Sequence, residues 1–409
     1  MVFNRKKTET DTPAAVAEDE VAAQGVTADI SETAAAVTAA AGGEAGGPLL
    51  SSRTREMFGY VAWGLGALIV LIMLLAFVGV DLGWPTRVGD NMLDQALDPQ
   101  TAAVAVAVIG LNIHFGYTGL LNMGQAGFML LGAYGFAISI VEGVPLLFAV
   151  VIGLLASALF AVVLGVPTLK LRGDYLAIVT ISAAEIVRYV GRATTFNEHT
   201  GGPQGIEGQD FRGPVTDLSF FGTGNFDIGS LDYILTGANS WWMRAVAWAV
   251  VLLSVGVVYL LVRSPWGRLL RGVREDEDAI RSLGKNVFAI KMQALVLGGL
   301  FGAVAGMLFV LPSSVVPDSM GRTLTFYCWT ALLLGGAATV FGPVLGSILF
   351  FVVRILVTGI ADNTVPDSVL NTQQAGQFGW IVIGVSLMLL VIFRPQGVLG
   401  DKRELRFNA

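Results

Sequence analysis

The apolar positions of this chain fall into long runs separated by polar or charged breaks. Ten of the runs approach the roughly 20 residues that an α-helix needs to cross the hydrocarbon of a bilayer. They lie near 59–80, 101–117, 119–141, 145–167, 174–191, 241–262, 290–311, 322–339, 342–360 and 377–394. The pattern predicts an all-α integral membrane bundle of about ten transmembrane helices. Two pairs of runs are interrupted, the second and third at Gly116 and Gly119, the eighth and ninth at Gly335, Gly336, Gly342 and Pro343. Each pair is expected to form a broken or re-entrant element, because helix breakers at membrane depth are tolerated where protein re-satisfies the backbone.

One run is unusual in what interrupts it. GLNIHFGYTGLLNMGQAGFMLLGAY, beginning at Gly110, is rich in glycine and carries Asn112, His114, Tyr117, Thr118, Asn122 and Gln125. An amide or hydroxyl without a partner in hydrocarbon costs several kcal/mol, so these groups face protein, water or cargo. The expectation is a broken helix beside a path, with Asn112, Tyr117, Thr118, Asn122, Gln125 and Tyr134 along it. The competing expectation is a set of hydrogen bonds between helices that fix a kink. His114 fits hydrogen-bonded packing. Glu185 and Arg188, three apart on one helix, are expected to pair with each other. Gly298, Gly302 and Gly306 recur every four residues and predict close helix packing within the chain.

Composition agrees with a membrane protein: 54% of residues are hydrophobic, 14% charged, and the mean hydropathy is +0.69. The net charge of −6 is concentrated in the first fifty residues, which hold eight acidic and three basic side chains. Residues 1–48 have almost no aromatic or periodic apolar content and are expected to be a disordered cytoplasmic tail. The membrane body is then expected to cover 49–400, with 401–409 as a C-terminal cytoplasmic tail. A single cysteine, Cys328, and two distant histidines offer neither a disulfide within the chain nor a metal site, and nothing points to nucleic acid.

Basic residues near the span ends set the expected orientation. Residues 263–291 hold seven Lys and Arg, whereas 192–240 hold two, against six Asp and Glu. The positive-inside rule places 263–290 and both termini in the cytoplasm and 192–240 outside. The inner connection, RSPWGRLLRGVREDEDAIRSLGKNVFAIK, reads as a span end at Pro265 and Gly267, then one short amphipathic helix over 268–283, stopped at Gly284. Leu269, Val273, Ile280 and Leu283 are its apolar contacts. Arg271, Arg274, Glu275, Asp276, Asp278 and Gly284 are its candidate interaction residues.

The run from Gly110, LRGDYLAIVTISAAEIVR from Leu171, TGGPQGI from Thr200, REDEDAIRSLG, GGAATVFGPVLG from Gly335 and FRPQGVLG from Phe393 occur in the order seen in one family. The chain resembles the branched-chain amino-acid ABC transporter permeases of LivM type. The resemblance implies a type II ABC importer-like bundle in a bacterial inner membrane. It implies as partners a second permease subunit in a heterodimer, two cytoplasmic ABC ATPases and an external substrate-binding protein. It makes the inner helix a coupling helix, with Asp278-Ala279-Ile280 and Gly284 as a degenerate form of the motif that meets the ATPase. The chain has no Gly-rich loop ending in Gly-Lys-Ser/Thr, so it is expected to be no enzyme and to hold no cofactor, with ATP and magnesium on the partner ATPases. Two other cargo readings stay open. One is a permease for urea or short amides, the other an ion-coupled carrier, which needs a mid-membrane carboxylate and has only Glu185 to offer.

Overall fold

A computed structural model of the chain describes residues 70–78, 83–169, 173–222, 224–228 and 231–364, with residues 377, 380, 381, 384, 385, 388 and 397–400. The tails expected at 1–48 and 401–409 lie outside the described residues, as do most of the candidate spans at 59–80 and 377–394.

The described residues are mostly helical. Helix α1, Trp84–Leu97, occupies much of the 81–100 stretch that hydropathy assigns to a connection. Its 14 residues mix polar and apolar side chains and are too short to cross, so no apolar run marks them. The signals were local: Pro85 in the first turn, and Val88, Met92 and Ala96 buried at intervals of four. Asp98 ends α1 and caps α2, Pro99–Asn112, its carboxylate accepting from the Gln100 amide at 2.6 Å.

Helix α2 is buried all round. Its run of Ala and Val from Ala102 to Val108 is fully inaccessible, and small side chains there let four other helices approach closely. These are α8 (Trp241–Arg263), α11 (Val287–Val310), α12 (Arg322–Gly335) and α13 (Gly342–Thr364). Helix α3, Gln125–Val141, packs between α11 and α4, Leu146–Thr168. Helix α5, Gly173–Arg192, lies against α3.

Among the described residues, five helical segments are long and apolar enough to cross a membrane: Pro99–Tyr117, Leu146–Thr168, Trp241–Arg263, Val287–Val310 and Gly342–Asn363. On α4 and α8, large side chains such as Leu155, Leu159, Leu252 and Leu260 are more than 60% exposed, as helices facing lipid require. The third run starts later than hydropathy implies, at Gln125, and the eighth ends earlier, at Gly335, leaving 118–124 and 336–341 irregular. The glycine ridge of α11 packs inside the chain. At Gly306 a side chain would run into the Met129 carbonyl of α3, so only glycine allows that approach.

Within 192–240 the described residues form α6 (Asn197–Thr200), α7 (Gly208–Thr216) and an antiparallel hairpin of β1 (Asn225–Ile228) and β2 (Leu231–Ile234). Phe211 of α7 is fully buried, and Arg212 donates to the Leu311 and Ser313 carbonyls at 2.5 and 3.2 Å, fastening α7 over the end of α11.

The single helix expected over 268–283 is two. Helix α9, Pro265–Glu275, stops at Asp276, whose extended backbone starts α10, Glu277–Ser282. The Asp276 carboxylate accepts from the Asp278 and Ala279 amides at 2.9 and 3.0 Å. Within an acidic run, a capping aspartate looks like one more surface charge, which hid the break. Val273 is buried as expected, but so is Leu270, whereas Leu283 is 73% exposed.

Candidate functional site

The candidate site is built where α2 ends. Its last turn widens without interruption into a π-turn, Ile113–Tyr117, and the chain then runs irregularly to α3. Widening leaves carbonyls without their ordinary partners, and the following residues supply new ones. The Leu120 amide donates to the His114 carbonyl at 2.8 Å, the Gly119 amide to Phe115 at 3.1 Å and the Thr118 hydroxyl to Ile113 at 2.8 Å. Gly119 takes a φ of +75°, a left-handed conformation that glycine reaches without strain.

Inside this break the polar side chains form one connected network. The Asn122 amide donates to His114 Nδ1 and to Gln125 Oε1, both at 3.0 Å, while its own oxygen accepts from the Gly124 amide at 2.8 Å. His114 Nε2 faces the Leu295 carbonyl at 3.1 Å. A carbonyl only accepts, so Nε2 carries the proton and Nδ1 is free to accept from Asn122. Gln125 Nε2 donates to the Ala107 and Gly298 carbonyls at 3.1 and 3.4 Å, tying α3 to α2 and α11. His114, Asn122 and Gln125 are all 0% exposed.

Asn112 reaches a different neighbour. Its amide donates to the Thr339 carbonyl at 2.7 Å and its oxygen accepts from the Ala338 amide at 2.8 Å, which joins the break after α2 to the break between α12 and α13. Ala338 is held at a φ of +61°, an uncommon conformation for a residue with a side chain. Tyr117 and Thr118 are buried beside this junction. Tyr134 lies apart from the others, its hydroxyl directed at the Gly191 carbonyl of α5 at 3.5 Å. Five of the six expected pathway residues therefore gather at one break, enclosed and hydrogen-bonded or packed, and the sixth is near the far end of α5.

Residues that sequence reasoning did not single out complete the site. The Thr180 hydroxyl accepts from the Met123 amide and Thr325 from the Ala126 amide, while Trp329 donates to the Asn122 carbonyl, at 3.0, 3.1 and 3.0 Å. Lone threonines within apolar helices were the available signal. The Glu185–Arg188 pair forms at 2.7 Å and extends further: Arg188 also meets Asp318 at 2.5 Å, and Glu185 accepts from the Arg322 amide that starts α12 at 3.1 Å.

The charged segment α9–α10 touches the break directly. Arg274 lays its stem against Gly119 and donates from its guanidinium to the Gly116 carbonyl in the π-turn. Arg271 donates to the Val262 carbonyl at 3.1 Å, folding α9 back on α8. Glu275 and Asp276 are exposed, as are Asp278, paired with Arg281 at 2.6 Å, and Gly284, which turns the chain at a φ of +75°. A cavity of about 610 Å³ lies between this segment and the break, with Thr118, Leu120 and Leu176 on one side and Glu277, Arg281 and Lys285 on the other.

The arrangement thus has two parts: an enclosed polar junction where α2 ends, and an exposed charged segment fastened to it. Comparison with known proteins gives the context. Residues 99–392 match the family model described as branched-chain amino acid transport system / permease component. The chain is 32% identical over 344 residues to the high-affinity branched-chain amino acid transport system permease protein LivM of Salmonella typhimurium, covering 80% of this chain and 74% of that one. The LivM protein of Escherichia coli K12 is 33% identical with the same coverage. A second permease protein of that name series from Escherichia coli K12, LivH, is 29% identical over 160 residues, covering 39% of this chain and 47% of its own.

Proposed function

This chain belongs to the family of branched-chain amino-acid transport permeases, and from that premise we propose that it is the membrane subunit of an ATP-driven importer for leucine, isoleucine, valine or similar amino acids. Hydrolysis falls to two separate ATPases on the cytoplasmic side and delivery to an external binding protein. A second permease chain completes the path, and the similarity to LivH as well as LivM supports two related but different chains. The membrane is a bacterial inner membrane, with both termini and α9–α10 in the cytoplasm, a reading supported by the seven basic residues of 263–291.

The observation that carries this reading is the contact of Arg274 with the Gly116 carbonyl. The ATPases grip α10 through Asp278 and the exposed turn at Gly284, and their closure moves α9. Arg274 passes that displacement to the π-turn, and Asn112 passes it on to Ala338 and Thr339. The two breaks then part along a polar seam. Asn112, Tyr117, Thr118, Asn122 and Gln125 exchange their internal partners for the ammonium and carboxylate of a zwitterion, and Tyr134 lies farther along the same route. Exchange of one hydrogen bond for another is nearly neutral in free energy, which suits passage better than retention.

Uptake of radiolabelled leucine, isoleucine and valine into vesicles holding the whole assembly tests the proposal. Asp278→Lys combined with Gly284→Trp is expected to abolish uptake while membrane insertion persists, since both positions are exposed and lie in the connection between α8 and α11. Undiminished uptake in that variant would remove α10 from the ATPase contact.

A further inference from the structure

Helix α8 leaves one apolar face uncovered within this chain, as a helix bordering lipid does. Ala245, Ala249, Leu252, Leu253, Val257 and Leu260 are exposed along it at helical spacing, and steps of three and four residues bring Trp241 and Trp242 to the top of the same face. Residues before the helix lean on these two indoles. Phe220 and Phe221 lie 5.1 and 6.0 Å from the Trp242 ring, and Tyr233 lies 5.4 Å from Trp241. Trp241 Nε1 donates to the Phe226 carbonyl at 2.6 Å and Trp242 Nε1 to Val215 at 2.9 Å, so the loop is pinned at the level of the first turn of α8.

The outer surface of the pinned loop is apolar. Phe220 is 80% exposed, and Leu218, Phe226 and Ile234 are exposed around it. Residues 218–226 carry no charge, while Asp217, Asp227 and Asp232 border them. We propose that residues 218–222 and 224–226, with Ile234, form an interfacial anchor that enters the boundary between lipid headgroups and acyl chains beside the first turn of α8.

The level follows from the length of the helix. Its 23 residues span about 34 Å, little more than the hydrocarbon thickness, so its first turn stands at the boundary and whatever touches Trp242 stands there too. Both indole donors are satisfied by the loop itself, which leaves bare rings to face outward. Aromatic rings favour this interfacial layer, and it is contiguous with the lipid-facing side of α8. The three aspartates fix the depth, because a carboxylate resists entry into hydrocarbon. A protein partner on the same surface would satisfy the rings as well, but it would have to displace lipid from the top of α8.

Spin labels distinguish these cases in the intact assembly in proteoliposomes. Phe220→Cys is the test position, Asp232→Cys the aqueous reference and Leu253→Cys the lipid reference. Cys328 is buried and stays unlabelled. A label at 220 is expected to collide with oxygen nearly as often as one at 253, and several-fold less often than one at 232 with a water-soluble nickel chelate. Chelate access equal to that at 232 overturns the anchor in favour of a solvated loop. Shielding from both reagents overturns it in favour of a protein contact.

Discussion

Asn112 uses both ends of one amide on one loop, donating to Thr339 and accepting from Ala338, and Gly116 makes that possible by having no side chain. A methyl group at 116 would overlap Asn112 Oδ1 and lie 2.5 Å from the Ala338 nitrogen. Gly116→Ala is therefore expected to break both bonds and cost about 2–3 kcal/mol, counting roughly 1 kcal/mol for each hydrogen bond plus the strain of displacing backbone. A lowered midpoint of thermal unfolding for the purified protein is the check, and an unchanged midpoint would mean that the loop at 338 shifts freely. At this scale the sequence was legible in kind: uncharged polar residues in a lipid-depth run announce a network. It was silent on their partners, because the Ala338 amide, the Thr339 carbonyl and the Leu295 carbonyl are backbone groups more than 180 residues away that any side chain could carry.

Two short elements carry the mechanical proposal, the π-turn at Ile113–Tyr117 and the jointed pair α9 and α10. Arg274→Met keeps the stem over Gly119 and removes the donor to Gly116. Uptake by the assembly is expected to fall about tenfold while ATP hydrolysis continues, a coupling loss within the usual 1–3 kcal/mol. Parallel loss of hydrolysis and uptake would point to assembly instead. The hairpin of β1 and β2 gives an independent expectation. Asp227 stands opposite Asp232, and the hydrogen bond between their side chains, then their like charges, raise the Asp227 carboxyl above its usual 3.8. A carboxyl that holds its proton more tightly when folded adds stability at low pH and withdraws it as pH rises through the folded value. Amide exchange across the hairpin should slow as pH is lowered toward 3.8, after correction for the intrinsic rate, and Asp232→Asn should remove that pH dependence. The joint at Asp276 and the helix α1 were the elements least visible in the sequence. A cap inside an acidic run and a short amphipathic helix between two spans both lack the long apolar signal that marks their neighbours.

For the whole molecule, the distribution of basic residues predicts which end faces the cytoplasm. Ser282→Cys, at the exposed end of α10, is expected to react with a membrane-impermeant thiol reagent only after cells are opened, and Asp210→Cys in intact spheroplasts. The buried Cys328 leaves the parent chain silent in this assay. The opposite labelling pattern would invert the assignment of α9–α10 to the motor side. The apolar runs, the glycine spacing on α11 and the concentration of charge at 263–291 were determined by the sequence alone, because lipid enforces hydropathy and helix geometry residue by residue. Which groups meet across the bundle was decided only by tertiary structure. The contacts of Asn112 with Thr339, Arg274 with Gly116 and Arg188 with Asp318 join segments 130 or more residues apart, and hydrogen bonds of that range depend on how helices are stacked, which no local pattern encodes.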